Sequence, residues 1–284
     1  MPRISINEMT TYHWSFLEDV VGYQAAGFER IGVWRRKLSD FGEERASELL
    51  RESNLTVSCY SCAGGFTGSD GQTYREAVDD ALDALRMAAE IEAECLVVIA
   101  GAQAGHIFSH ARRLLRDALR ELGDVAAQSG LSIALQPFRR QRVDRCSFLT
   151  SLDATLEMLA WCGHPHVGLV FDFFHLCDEP NLNRRIPEMV PWIKIAALCD
   201  ARRPARSDND RCLPGQGQLP LAEMICALEA NGYRGAYDVQ LLSEHCWKSD
   251  YPALLGECHS ALAKLAPRTF PWRDRVEGAA VPPG

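Results

Sequence analysis

The sequence predicts a single-domain α/β protein, a (β/α)8 TIM barrel. Eight short apolar, β-branched runs recur along the chain, and amphipathic segments with apolar residues at helical spacing lie between them. Eight such alternations over about 265 residues match the strand count and length of this barrel. The doubly wound open sheet is the competing arrangement, but no Gly-x-Gly-x-x-Gly follows the first run.

"RISI" opens the series, and "SFLEDVVGYQAAGF" follows as the first helix. "RIGVW" and "LTVSCYS" supply strands two and three, and "YREAVDDALDALRMAAEI" the helix after them. "CLVVIAG" leads into "HARRLLRDALRELGDVAAQSG", which stops at Gly130. "LSIALQP", "VGLVFDF" and "WIKIAAL" are strands five to seven. "LPLAEMICALEANGY" is a helix ending at Gly232, "GAYDVQL" is the eighth strand, and "YPALLGECHSALAKLA" closes the domain. Residues 1–266 therefore read as the barrel. From residue 267 periodicity is lost, which predicts a tail that wraps the surface or is disordered.

Hydrophobic residues form 47% of the 284 and charged residues 24%, the balance of a globular protein with a substantial core. A net charge of −8 argues against a nucleic-acid partner, which needs a basic face. No apolar run approaches the roughly 18–20 residues of a membrane span, and the first residues lack a signal-peptide pattern. The expectation is a cytoplasmic protein acting on a small-molecule substrate, with a homo-oligomer left open. The 11 cysteines are scattered and odd in number, as buried thiols would be. Cys59 and Cys62 have redox-motif spacing, yet their odd separation on a strand sends them to opposite faces.

Barrel chemistry sits where strands end. Trp34 and Arg35 end strand two, and His106 follows strand four. Gln136 ends strand five, before a basic run of Arg139, Arg140 and Arg142. Asp172 and His175 end strand six, Asp200 strand seven, and Gln240 strand eight, with Glu244 beyond.

The ordered set of Asp172-x-x-His175, a seventh strand ending in aspartate, "RCLPGQGQLPL" and "YRGAYDVQ" resembles the xylose isomerase-like barrels. That superfamily includes sugar-phosphate isomerases and epimerases, inosose isomerases and dehydratases, hydroxypyruvate isomerases and endonuclease IV. The resemblance implies a divalent site built from a glutamate after strand five, the strand-six aspartate, a strand-seven histidine and a strand-eight glutamate. At these places the chain carries Gln136, Asp172, Ala197 and Gln240. Two carboxylates have become amides and the imidazole has become a methyl group. A divalent ion such as manganese or magnesium is thereby disfavoured, and no cofactor is expected.

Within the resemblance, Arg211 matches a loop arginine that reaches a substrate oxygen or the seventh-strand acid. Asp172 and His175 are the remaining base and acid. Gln136, Gln240, Arg211, Asp200, Trp34 and His106 are the candidate substrate contacts. The expected activity is isomerase, epimerase or lyase chemistry on a sugar-, cyclitol- or hydroxycarbonyl-like metabolite. The alternatives are a non-catalytic binding barrel, or a metal isomerase whose ligands include Asp200 or Glu244.

Overall fold

Eight parallel strands close into a barrel in a computed structural model that describes residues 3–139, 146–149, 151–202, 207 and 209–265. In chain order they are β1 (Arg3–Asn7), β2 (Arg30–Trp34), β3 (Thr56–Gly64), β4 (Cys95–Ile99), β5 (Ser132–Leu135), β6 (Val167–Asp172), β7 (Ile193–Leu198) and β10 (Ala236–Val239). β10 closes on β1 with Arg3 opposite Ala236 and Ile6 opposite Val239. Each of the eight runs marked in the sequence is a barrel strand. Two strands were not foreseen, β8 (Asp200–Ala201) and β9 (Arg211–Cys212), a short antiparallel ladder outside the barrel. The segment from residue 267 lies outside the described residues, as do Arg140 and Arg142.

The helices alternate with the strands: α1 (Phe16–Ala25), α2 (Arg35–Phe41), α3 (Glu43–Glu52), α4 (Tyr74–Glu90), α5 (Phe108–Gln128), α6 (Leu152–Cys162), α7 (Leu182–Met189), α8 (Leu221–Ala230) and α9 (Tyr251–Leu265). Local chemistry sets their ends. Ser15 with Glu18, and Thr73 with Glu76, form reciprocal capping boxes that satisfy backbone donors at the starts of α1 and α4. Gly42 separates α2 from α3 at φ 102°, a backbone angle that side chains other than glycine resist. Among the described residues no helix is long and apolar enough to cross a membrane.

Strands covered by helices on one side and by the barrel interior on the other are largely apolar, and every residue of β6 is buried. The large core lies between sheet and helices. A second, smaller cluster of Cys59, Cys95, Val97, Ala134, Val170, Ile195 and Ala197 fills the interior. Cys59 belongs to this interior cluster, and Cys62 is not part of it.

Beside the interior cluster sits a buried carboxyl. Burial pushes Asp238 up to about 6, and hydrogen bonds from Asn7, Ser5 and Cys59 only partly oppose this. The Asn7 amide donates at 2.7 Å. A carboxyl whose folded pKa lies above its unfolded value near 3.9 stabilises the fold below that value and loses this contribution as pH rises through about 6. Asp238→Asn should therefore flatten one component of the pH profile. The stability difference between wild type and variant should change by about 2–3 kcal/mol between pH about 4 and about 8. Urea unfolding across that range measures it, and a pH-independent difference contradicts the assignment.

Candidate active site

β6 delivers Asp172 to the mouth of the barrel, fully buried, and the chain turns at once around its carboxylate. Oδ1 accepts the backbone N–H groups of Phe174 at 2.8 Å and His175 at 3.0 Å, the aspartate turn that this residue type favours. Oδ2 accepts the Gln136 amide at 3.0 Å and the Arg211 guanidinium at 3.1 Å. Burial alone would raise the Asp172 carboxyl, but Arg211, His175 and these hydrogen bonds more than reverse it, leaving the carboxylate ionised.

Arg211 arrives from the unforeseen ladder. β8 and β9 pair with Asp200 opposite Cys212 and Ala201 opposite Arg211. The Asp200 carboxylate accepts the backbone N–H groups of Ala201 at 2.8 Å, Gly215 at 2.9 Å and Leu219 at 3.0 Å. Thus held, the loop folds Arg211 back over the barrel, where it is 3% exposed. Its guanidinium donates to Asp172 and, at 3.1 Å, to Gln240 Oε1. It also stacks 5.0 Å from the centre of the Phe174 ring, as does the Arg139 guanidinium. Burial works against the Arg211 charge, Asp172 outweighs it, and the guanidinium stays protonated.

Four residues marked in the sequence are therefore joined in one network, Gln136–Asp172–Arg211–Gln240, and His175 adjoins it. The His175 ring, 8% exposed, packs against Phe138 and Phe174, and its Nδ1 accepts the Arg139 backbone N–H at 3.5 Å.

Two of the marked carboxylates are engaged by protein donors. Asp172, marked as a base, has all four acceptor directions of its carboxylate on protein donors. Asp200, marked as a substrate contact, accepts from the loop backbone that carries Arg211.

The remaining candidates stand apart from the network. His106 Nε2 lies 3.0 Å from the Thr67 carbonyl, and its ring meets His110. Trp34 borders the mouth, its backbone N–H bound to Glu8 at 2.5 Å. Glu244 is exposed beyond β10. Met9, Tyr12 and Trp247 were not marked in the sequence, although Met9 and Tyr12 lie in the loop after strand one. Met9 Sδ lies 3.4 Å from the Gln240 amide nitrogen.

A polar hub on the sixth strand, flanked by residues from the fifth and eighth strands and by the loop after the seventh, is the arrangement that the sequence resemblance required. The profile of the xylose isomerase-like TIM barrels matches residues 21–256. The chain belongs to this family. It is 23% identical over 238 residues to the 3-dehydroshikimate dehydratase of Pseudomonas putida, covering 80% of this chain and 36% of that one. The chain thus spans about a third of that relative's length. It is 22% identical over 257 residues to the inosose isomerase of Bacillus velezensis, covering 87% of this chain and 90% of that one. A crystal structure of a Sinorhizobium meliloti protein superposes with a TM-score of 0.86 at 25% identity, covering 93% of this chain and 98% of that chain.

For a xylose isomerase-like barrel the question is whether the residues at the metal positions fit a divalent ion. Gln136 turns its amide N–H toward Asp172 and also donates to the Pro137 carbonyl at 2.9 Å. Gln240 Oε1 is bound to Arg211, and Ala197 contributes a methyl group to the interior cluster. The single carboxylate, Asp172, is already paired with a guanidinium. A hard cation would meet like charge and one acidic oxygen donor where it needs several. These residues do not fit it.

Proposed function

We propose that this barrel moves a proton at a carbon beside a carbonyl in a small sugar-, cyclitol- or hydroxycarbonyl-like metabolite, and does so without a divalent metal. The observation that carries this reading is the buried Asp172–Arg211 pair at 3.1 Å, which stands among the family's metal positions with Gln136 and Gln240 on either side. The Arg211 charge and the Gln240 amide nitrogen are donors suited to a carbonyl oxygen that gains charge. Gln136 has both amide protons engaged, leaving its carbonyl oxygen to accept from a substrate hydroxyl. His175 is the acid/base group, because imidazole changes charge near neutral pH.

In this reading His175 removes the proton from carbon, and the electron pair forms a carbon–carbon double bond as the carbonyl oxygen becomes an enolate. Returning the proton to the other face gives an epimer, and returning it to the neighbouring carbon after hydroxyl proton transfer gives an isomer. Expelling a β-hydroxyl, which takes up the proton and leaves as water, gives a dehydrated product. The named dehydratase and isomerase relatives support chemistry of this kind.

Incubation with an inosose and with 3-dehydroshikimate in deuterium oxide, followed by NMR, tests it. Wild type should incorporate deuterium beside a carbonyl or turn the substrate over. His175→Ala should lower the rate by about 10²-fold or more. Asp172→Asn should lower it comparably, because Arg211 and Gln136 lose their anchor. Turnover within a few-fold of wild type in both variants would exclude the pair. The saturated Asp172 carboxylate favours one other reading, a barrel that binds but does not react. Binding without exchange or turnover would establish that instead.

A further inference from the structure

The mouth of the barrel is chemically divided. The charged network occupies the sector of β5, β6, β7 and β10, whereas an aromatic wall covers the adjoining sector of β10, β1 and β2. Tyr12, after β1, lies 4.5 Å from Trp247, after β10, with 30° between the ring planes. It lies 5.5 Å from Trp34, at the end of β2, with 32° between planes. Met9 joins the two sectors: its carbonyl accepts Trp247 Nε1 at 2.8 Å, and its sulfur meets the Gln240 amide.

The wall is both rigid and available. Lys37 Nζ binds the carbonyls of Glu8 at 3.1 Å and Thr11 at 2.9 Å and the Asp19 carboxylate at 2.6 Å, fixing the loop that presents Tyr12. Tyr12 nevertheless remains 37% exposed. Beside it lies a cavity of about 360 Å³ lined by Tyr12, Trp14, Trp34 and Phe41, with Arg36 and Asp40 among its polar groups. A partly exposed aromatic cluster beside a cavity at the edge of a polar site suits a flat apolar partner, and the charged groups suit hydroxyls around it.

We propose that the substrate carries a second ring, attached to the part that reacts, and that this ring lies against Tyr12 and Trp34. The assignment rests on the acid–base reading for the location of the reacting part. A sugar unit and an aryl group share the required chemistry, a flat face of C–H or π character. The wall therefore selects conjugates over free small metabolites.

Titration calorimetry of the full chain with methyl β-D-glucoside, phenyl β-D-glucoside and cellobiose tests this, since these share one glucose unit and differ in what is attached. At least one of the two-ring probes should bind about tenfold more tightly than the methyl glucoside, equivalent to about 1.4 kcal/mol. A preference for the phenyl glucoside assigns an aryl group, and a preference for cellobiose a second sugar. Tyr12→Ala should abolish the preference and Tyr12→Phe should retain it. Equal affinity for all three probes, binding of none, or an undiminished preference in Tyr12→Ala overturns the proposal. The deuterium experiment is read separately: preference without exchange or turnover keeps the second-ring site and removes the acid–base reading.

Discussion

Replacing Arg211 with methionine should destabilise the barrel by about 3–5 kcal/mol, the usual cost of leaving one member of a buried ion pair alone. Asp172 is 0% and Arg211 3% exposed, so water cannot take over the lost partner. The variant must protonate Asp172 or hold an uncompensated carboxylate. Its instability should accordingly grow with pH, whereas wild type keeps the pair's contribution at neutral pH. The sign follows from Asp172 being held below the usual carboxylate range: that stability is present above the unfolded pKa near 3.9 and is lost as pH falls through the lower folded value. Adding Asp172→Asn to Arg211→Met should recover much of the loss, because no charge then remains to be buried. Urea unfolding of the four proteins at neutral pH measures the coupling. Simple additivity of the two single changes would show that the pair is not energetically coupled.

The second large effect concerns metal affinity. Gln136→Glu, Ala197→His and Gln240→Glu together place two carboxylates and an imidazole around Asp172 on strands that a rigid barrel holds close. The geometry adds a condition, since the Arg211 guanidinium already donates to Asp172 and Gln240 and would ion-pair with the new acids. The triple variant should bind manganese weakly. Adding Arg211→Ala should strengthen binding by more than about 100-fold, because it removes like charge and frees the donors. Calorimetric titration of both variants and wild type decides the matter. If the quadruple variant folds but binds no more tightly than wild type, these positions are not the family's metal positions.

Much of the candidate site was legible in the sequence for a geometric reason. A barrel strand of period two fixes which residues face inward, and its end fixes where they emerge. The runs "SIALQ", "VGLVFD" and "YDVQ" thus put Gln136, Asp172 and Gln240 at strand ends, and the family resemblance marked those ends as site positions. Met9 and Tyr12 were not legible in that way, because the loop after β1 carries no period. Trp247, after β10, joins them through a ring contact with Tyr12 and a hydrogen bond to the Met9 carbonyl, across loops far apart in sequence.

By itself the sequence determined the strand–helix order and the barrel from local pattern, and, through the family resemblance, the altered residues at three of the four expected metal positions. Only the tertiary structure decided how the charges are paired. Arg211 lies 39 residues from Asp172 in the chain and reaches it because the β8–β9 ladder, pinned by Asp200, folds the loop back over the mouth. That contact pairs the Asp172 carboxylate with a buried guanidinium at 3.1 Å. Its energy depends on burial and on a three-dimensional distance, and neither quantity is written in the order of residues.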